Sequence, residues 1–407
     1  MMIELLLLLS LQDWSQFRGP DGQGRSAEKG LPAAWSASKG VVWKTPLPGG
    51  GTSSPILVGN RIYLTAYSGF GIPGEAGDMN ALKLHLVALD RKTGKVLFAR
   101  DVAPRLPEQA KIRDEHGYAS STPASDGKRI YAFFGKSGAK AFDLEGKELW
   151  STDLGDQLHG WGSAASPVLF ENTVLVNASV ESQSLVALDA ATGKEVWRAR
   201  GIRDSWNTPV LAKTKEGKVE LLVAIQGKVL GLDPKTGASL WSCDTNIPWY
   251  MVPTTVVADG ISYWIGGRSG GALAVRLGGK GDVTATHRLW MAEKNSNVPS
   301  PILHEGHLYF AGDHDGTVYC LEAATGKVVY AERLPRADII YASPLFVDGK
   351  IYYVARNGKT FVVAAAPAFK LLSANELDDR SLFHAAPVTA DGRLLLRSNR
   401  FLYCLDE

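Results

Sequence analysis

The stretch LVALDAATGKEVW, Leu185 to Trp197, decides the fold because the chain writes it more than once. LVALDRKTGKVLF runs from Leu86 to Phe98, and VLGLDPKTGASLW from Val229 to Trp241. Leu185 to Leu188 reads as a strand covered on both faces, and Asp189 to Lys194 as a tight hairpin connection. In that connection Asp can accept hydrogen bonds from backbone amides two residues on, Thr does so more weakly, and Gly193 supplies the positive φ that closes the loop.

An aromatic residue follows the turn glycine by a constant four positions: Gly94 to Phe98, Gly146 to Trp150, Gly193 to Trp197, Gly237 to Trp241 and Gly326 to Tyr330. A ring at so fixed an address is expected to plug against the neighbouring unit, each burial contributing roughly 2 to 3 kcal/mol. Trp290 is expected to do the same in a unit whose turn has degenerated into RLGGKGDVTATHRLW.

A second signature precedes each repeat. Pro55, Pro123, Pro167, Pro209, Pro253, Pro301, Pro344 and Pro387 each follow a small residue or a valine, and each opens a strand, turn and strand such as PVLFENTVLVNAS. Proline lacks an amide donor, so it suits the first residue of an innermost strand. From Pro123 onward the gaps are 44, 42, 44, 48, 43 and 43 residues, and the longer first gap of 68 holds insertions. A period near 44 with four strands per unit predicts an all-β, eight-bladed β-propeller. The chain stops after the third strand of the last unit, so the strand GVVWKTPL, Gly40 to Leu47, is expected to complete that blade.

Composition narrows the function. Forty-four basic and 42 acidic residues give a formal charge of +2 with no basic stripe, so nucleic acid is not an expected partner. Residues 1–12, MMIELLLLLSLQ, form a signal-like apolar leader too short to span a bilayer, which points to a periplasmic or secreted protein with no lipid anchor and no membrane span. Residues 13–407 then form a single propeller, expected to be monomeric. Cys243, Cys320 and Cys404 are too widely spaced for a metal pattern or a disulfide framework. The sequence DHDG from Asp313 reads as a turn rather than a cation loop, and GGRSGG, Gly266 to Gly271, as a hairpin connection rather than a phosphate cradle. No metal site and no catalytic Ser, His and Asp set is expected.

From Asp13 to Glu407 the repeats resemble the pyrroloquinoline-quinone-like (PQQ-like) propeller proteins, whose repeat reads A-L-D-x-x-T-G-K-x-x-W. DWSQFRGPDGQG, Asp13 to Gly24, is similar to the leader of extracytoplasmic members from environmental bacteria. The resemblance implies either a non-catalytic binding or scaffold propeller of the BamB kind, or a quinoprotein alcohol or sugar dehydrogenase. The second would imply PQQ with calcium held by Glu, Asn and Asp, an Asp base, and often adjacent cysteines; Glu181 and Asn297 stand in suitable loops, but no two cysteines are adjacent. The binding reading is preferred, with no cofactor expected.

A ligand on this scaffold belongs on the loops entering the innermost strands. Three residues before each proline stand Thr52, Ser120, Ala164, Trp206, Tyr250, Val298, Tyr341 and His384, and His116, Tyr118, His159 and Trp161 lie nearby. These rings predict an aromatic channel mouth for a protein segment or a carbohydrate, with Arg268, Arg356, Asn357 and Arg400 as added polar contacts. As a rim they should carry little packing between blades; as a plug they should be buried against one another.

Overall fold

The computed structural model describes residues 13–110, 117–268, 270–312 and 314–407. The leader, His116 and Asp313 lie outside the described residues. Among the described residues the strands form eight sheets, each a radial blade of four antiparallel strands, two of them extended by a fifth. The third blade is typical: Val168–Phe170, Thr173–Ala178, Ser184–Asp189 and Glu195–Arg200 run from the channel outward. Innermost strands start directly after the prolines, at Ile56, Ala124, Val168, Val210, Ile302, Leu345 and Val388. The fifth blade differs, its strand opening at Val256 three residues after Pro253.

The repeated sentence is explained by what meets its glycine. Asp189 Oδ1 accepts from the Thr192 amide at 2.8 Å and from its hydroxyl at 2.7 Å, fixing the turn. Gly193 then takes φ +71°, and a Cβ there would lie 2.6 Å from the ring of Trp150, the plug of the preceding blade. Trp150 also donates its indole N–H to Ala190 O in the same turn at 3.1 Å. The same seat recurs for Trp43 on Gly94, Phe98 on Gly146, Trp197 on Gly237 and Trp290 on Gly326. Each ring therefore belongs in sequence to one blade and in space to the next.

The exception has a local cause. The degenerate segment of the fifth blade travels to its neighbour, where Gly281–Asp282 adds a parallel strand outside Ser239–Asp244. No glycine turn is left to seat Trp241, which donates instead to buried Glu220 Oε2 at 2.8 Å; the Gly278 amide reaches the same oxygen at 3.3 Å.

Closure follows the expected route. Val41–Pro46 pairs antiparallel with Phe401–Leu405, with Trp43 opposite Cys404, so the N-terminal strand completes the eighth blade. Two cations cement this joint to the first blade. Buried Arg397 donates to Ser53 O at 2.6 Å and Thr65 O at 2.9 Å, and burial pulls its pKa down to about 9. Arg91, equally buried, forms a two-pronged pair with Asp391 at 2.9 and 2.8 Å. All three cysteines are buried and free.

Two outcomes are expected. Gly59→Ala, at φ +54° with open space around it, should cost only the left-handed backbone penalty of about 1 to 2 kcal/mol. Gly193→Ala should cost roughly 1 to 3 kcal/mol more, because the new methyl meets Trp150; equal urea midpoints for the two variants would show that the ring seat is unimportant. Deleting residues 40–47 exposes an edge of the eighth blade and removes Trp43, so the main thermal transition should fall sharply or lose its cooperativity.

Candidate functional site

All eight residues at the position three before each proline line one cavity of about 1020 Å³ at the channel mouth. Tyr250 arrives there by a different register. In the other blades it is the residue just before the proline that continues the inner lining, whereas in the fifth blade this place is held by Thr254, just after Pro253. Val252 is thus the true counterpart of Trp206, and Tyr250 stands two residues further out. A shared count from proline gives the correct lining here but the wrong depth.

Beneath the rings runs a hydroxyl belt. Each backbone amide donates to the hydroxyl of the next blade: Ser54 to Thr122 at 2.9 Å, Thr122 to Ser166 at 3.0 Å, Ser166 to Thr208 at 3.0 Å and Thr208 to Thr254 at 3.3 Å. Thr254 continues to Ser300 at 2.9 Å, Ser300 to Ser343 at 3.0 Å, and Ala386 back to Ser54 at 3.0 Å. The link from Ser343 is missing because Ala386 has no hydroxyl. The small residues before the prolines had a structural reason that spacing alone did not reveal.

Deeper still, Asp13 to Gly24 crosses the channel. Trp14 pairs with Leu57 in the first blade, and Ser15 O accepts from Ser125 in the second at 2.8 Å. On the far side Gln23 Oε1 accepts from the Val257 amide at 2.8 Å, and Gly24 O from Phe346 at 2.8 Å. Buried Arg18 donates to Gly22 O at 3.2 Å, Gln23 O at 2.8 Å and Pro301 O, and burial lowers its pKa to about 9. Phe17 lines both the mouth cavity and a second space of about 850 Å³ beneath it. The segment therefore corks the channel below the belt.

The rings gather on one wall. Ring centroids stand 5.3 Å apart for Trp206 and Tyr250, 5.9 Å for Trp161 and Tyr250, 5.3 Å for Trp249 and Tyr250, and 5.0 Å for His159 and Trp206. Tyr341 and His384 face them as a separate pair 5.5 Å apart. Trp206 is only 6% exposed and donates to Gly162 O at 2.8 Å, so it carries packing that the rim reading denied it. Tyr250, Trp161, Tyr341 and His384 are half-buried. Among the described residues no Lys, Arg, Asp or Glu lines this cavity.

A family model described as Outer membrane protein assembly factor BamB matches residues 25–144, 135–311 and 279–368. The chain belongs to this BamB family of PQQ-like propellers. The BamB of Burkholderia pseudomallei (strain K96243) is 22% identical over 305 residues, covering 73% of this chain and 70% of that protein. A lupanine 17-hydroxylase [cytochrome c] of a Pseudomonas species is 23% identical over 359 residues, covering 69% of this chain and 49% of the hydroxylase, about half its length. The crystal structure of BamB from Moraxella catarrhalis superposes with a TM-score of 0.62 at 16% identity, covering 90% of this chain and 99% of that one.

In this BamB-family propeller the remaining candidates disperse. Tyr118 and His159 line a side cleft of about 430 Å³, where the Tyr118 hydroxyl donates to Gln109 O at 2.6 Å. Arg268, Asn357 and Arg400 are exposed and Arg356 is half-buried, and none of the four lines the mouth cavity; Arg400 lies 3.6 Å from Glu75. Glu181 lines the side cleft and Asn297 the mouth, so the two carboxylate and amide candidates for calcium are not brought together in one cavity. Among the described residues no group of three His, Cys, Asp or Glu is placed to hold a metal ion.

One hydrogen-bonded set was invisible in sequence spacing. Ser68 Oγ lies 2.7 Å from His85 Nε2, and His85 Nδ1 lies 3.1 Å from Asp101 Oδ1. These residues sit on neighbouring strands of the first blade, Asp101 also pairs with Lys83 at 2.8 Å, and none of the three lines any of the cavities described above. The set ties the ends of three strands together.

Glu181 gives the side cleft its pH signature. Only 2% exposed, it accepts from the Ser163 hydroxyl through Oε1, and burial, with a smaller push from Glu108, raises its pKa from 4.5 to about 7. Unfolded Glu181 releases its proton near 4.5 while the folded form holds it to about 7, so stability should fall as pH rises through that window. The fall should be on the order of 3 kcal/mol. Denaturation midpoints of Glu181→Gln should lose that slope; an unaltered slope would mean that the buried carboxyl does not titrate as its surroundings require.

Proposed function

We propose that this chain is a non-catalytic, extracytoplasmic binding or scaffold propeller that holds a protein segment or a carbohydrate in its channel mouth. The observation that carries this reading is the convergence of loops from all eight blades on one ring-walled cavity that, among the described residues, holds no Lys, Arg, Asp or Glu, above a corked channel. A rigid scaffold presents such loops without moving them, as binding requires. Export is supported by the apolar leader in the sequence and by kinship to a protein named as an outer membrane assembly factor. Among the described residues no helix is long and apolar enough to cross a membrane.

Kinship to the lupanine hydroxylase raises the second reading, a quinone-dependent oxidoreductase. The residues do not suit its cofactor. PQQ is a tricarboxylate, and a lining that, among the described residues, holds no Lys or Arg offers no permanent cation to offset the desolvation of three buried negative charges. Asn297 has no carboxylate beside it in the lining with which to share calcium, and the cysteines are buried in strands of three different blades.

Two measurements test the proposal. After mixing with PQQ and calcium and gel filtration, the protein should retain no quinone absorbance and oxidise neither alcohols nor sugars. Tyr250→Ala and Tyr341→Ala, both at half-buried rings, should together change stability by about 1 kcal/mol or less, the sum of two near-surface substitutions. A loss of several kcal/mol would make the rings a structural stopper and place the functional surface elsewhere.

A further inference from the structure

We infer that the mouth cavity receives the end of a neutral carbohydrate chain. The inference rests on the binding reading above and adds the ligand class and the direction from which it enters. Four observations lead to it.

The first is charge. A ligand bearing carboxylates, phosphates or ammonium groups would lose its hydration in a lining that, among the described residues, holds no Lys, Arg, Asp or Glu to pair with it. A neutral ligand has no such loss. The second is the wall. Trp161 and Tyr250 present tilted ring faces backed by the edge of buried Trp206, and a pyranose ring packs one face of C–H groups on a single such ring while its hydroxyls point to the sides.

The third is an unanswered acceptor. Asn297 is only 4% exposed and lines the cavity, yet its Oδ1 has no hydrogen-bond partner. A buried acceptor left without a donor is costly, and a sugar hydroxyl supplies one from the open side. A peptide is less suited. Seven of the eight amides that circle the channel at this depth, all but that of Ser343, are already taken by the hydroxyls of the belt and are not open to an extended peptide.

The fourth is the floor. Asp13 to Gly24 crosses beneath the belt, bonded to blades on both sides, with Phe17 between the cavity and the space below. A chain cannot thread this channel from mouth to base. A polymer can enter only by its terminus, so recognition is of an end rather than of an internal stretch.

Calorimetric titration of the full chain tests this with linear neutral pentasaccharides of gluco, manno, galacto and xylo configuration. A cyclic glucan, which has no end, a linear oligouronic acid and an uncharged peptide serve as comparisons. At least one linear neutral series should bind, while the cyclic, acidic and peptide probes should not. Tyr250→Ala and Asn297→Ala should each weaken binding at least about tenfold. Tyr250→Phe, which keeps the ring, should retain most of the affinity and so separates loss of the wall from loss of the fold. Binding of none of the linear neutral sugars, or equal binding of the cyclic glucan, overturns the inference. If no sugar binds but Tyr250→Ala and Tyr341→Ala keep the parental melting point, the carbohydrate class falls while the mouth remains a site; if the melting point collapses, both readings fall together.

Discussion

The structure depends on one contact, an aromatic ring of one blade laid on the bare glycine of the next. Because that glycine has no Cβ and stands at positive φ, the ring approaches the backbone more closely than any other residue would permit. The indole N–H then donates to a carbonyl of the same turn, as Trp150 does with Ala190 and Trp290 with Ala323. A blade cannot satisfy this contact alone. Its stability comes from its neighbours, and a ring of such units is stable only when it closes.

The interfaces that break the rule show how much variation the arrangement accepts. Trp241 finds Glu220 when its glycine turn is gone, and Tyr330 meets Phe369 edge-on at 5.5 Å where the seventh blade has no Thr-Gly turn. In each case the large ring stays and its partner changes. At these two interfaces the apolar plug is kept and the turn is one means of receiving it, whereas the seventh blade carries Ser373 at the plug position.

Much of this was legible because it repeats. The constant four-residue step from glycine to ring, the proline spacing and the orphan strand carrying Trp43 each appear several times or complete a pattern, so blade number and closure follow from counting. What escaped occurs once. The crossing of the channel by Phe17 and Arg18 depends on contacts hundreds of residues away, such as Arg18 with Pro301, and no local pattern encodes them. Ser68, His85 and Asp101 meet only through cross-strand register. The two-residue shift of the fifth blade was masked by its proline, which marks the strand start elsewhere and misleads at Pro253. For the mouth, residue types and their meeting place were readable, but the burial of Trp206 was set by a hydrogen bond to Gly162 that sequence does not announce.

The belt opens at a single place, between Ser343 of the seventh blade and Ala386 of the eighth, and the N-terminal segment spans that same place. Arg25–Ser26 pairs with Phe346 and Val347, Ser26 Oγ lies 3.2 Å from Thr389 Oγ1, and Glu28 accepts from the Gly392 amide at 2.8 Å. Trp14, Leu31 and Trp35 are buried in one apolar cluster with residues of the first, seventh and eighth blades. Residues 25 to 46 thus pack largely against the seventh and eighth blades, far on in the sequence. Until the seventh and eighth blades emerge, Leu31, Trp35 and an unpaired strand must travel without their final partners, a span of more than three hundred residues during which a holding chaperone has most to offer.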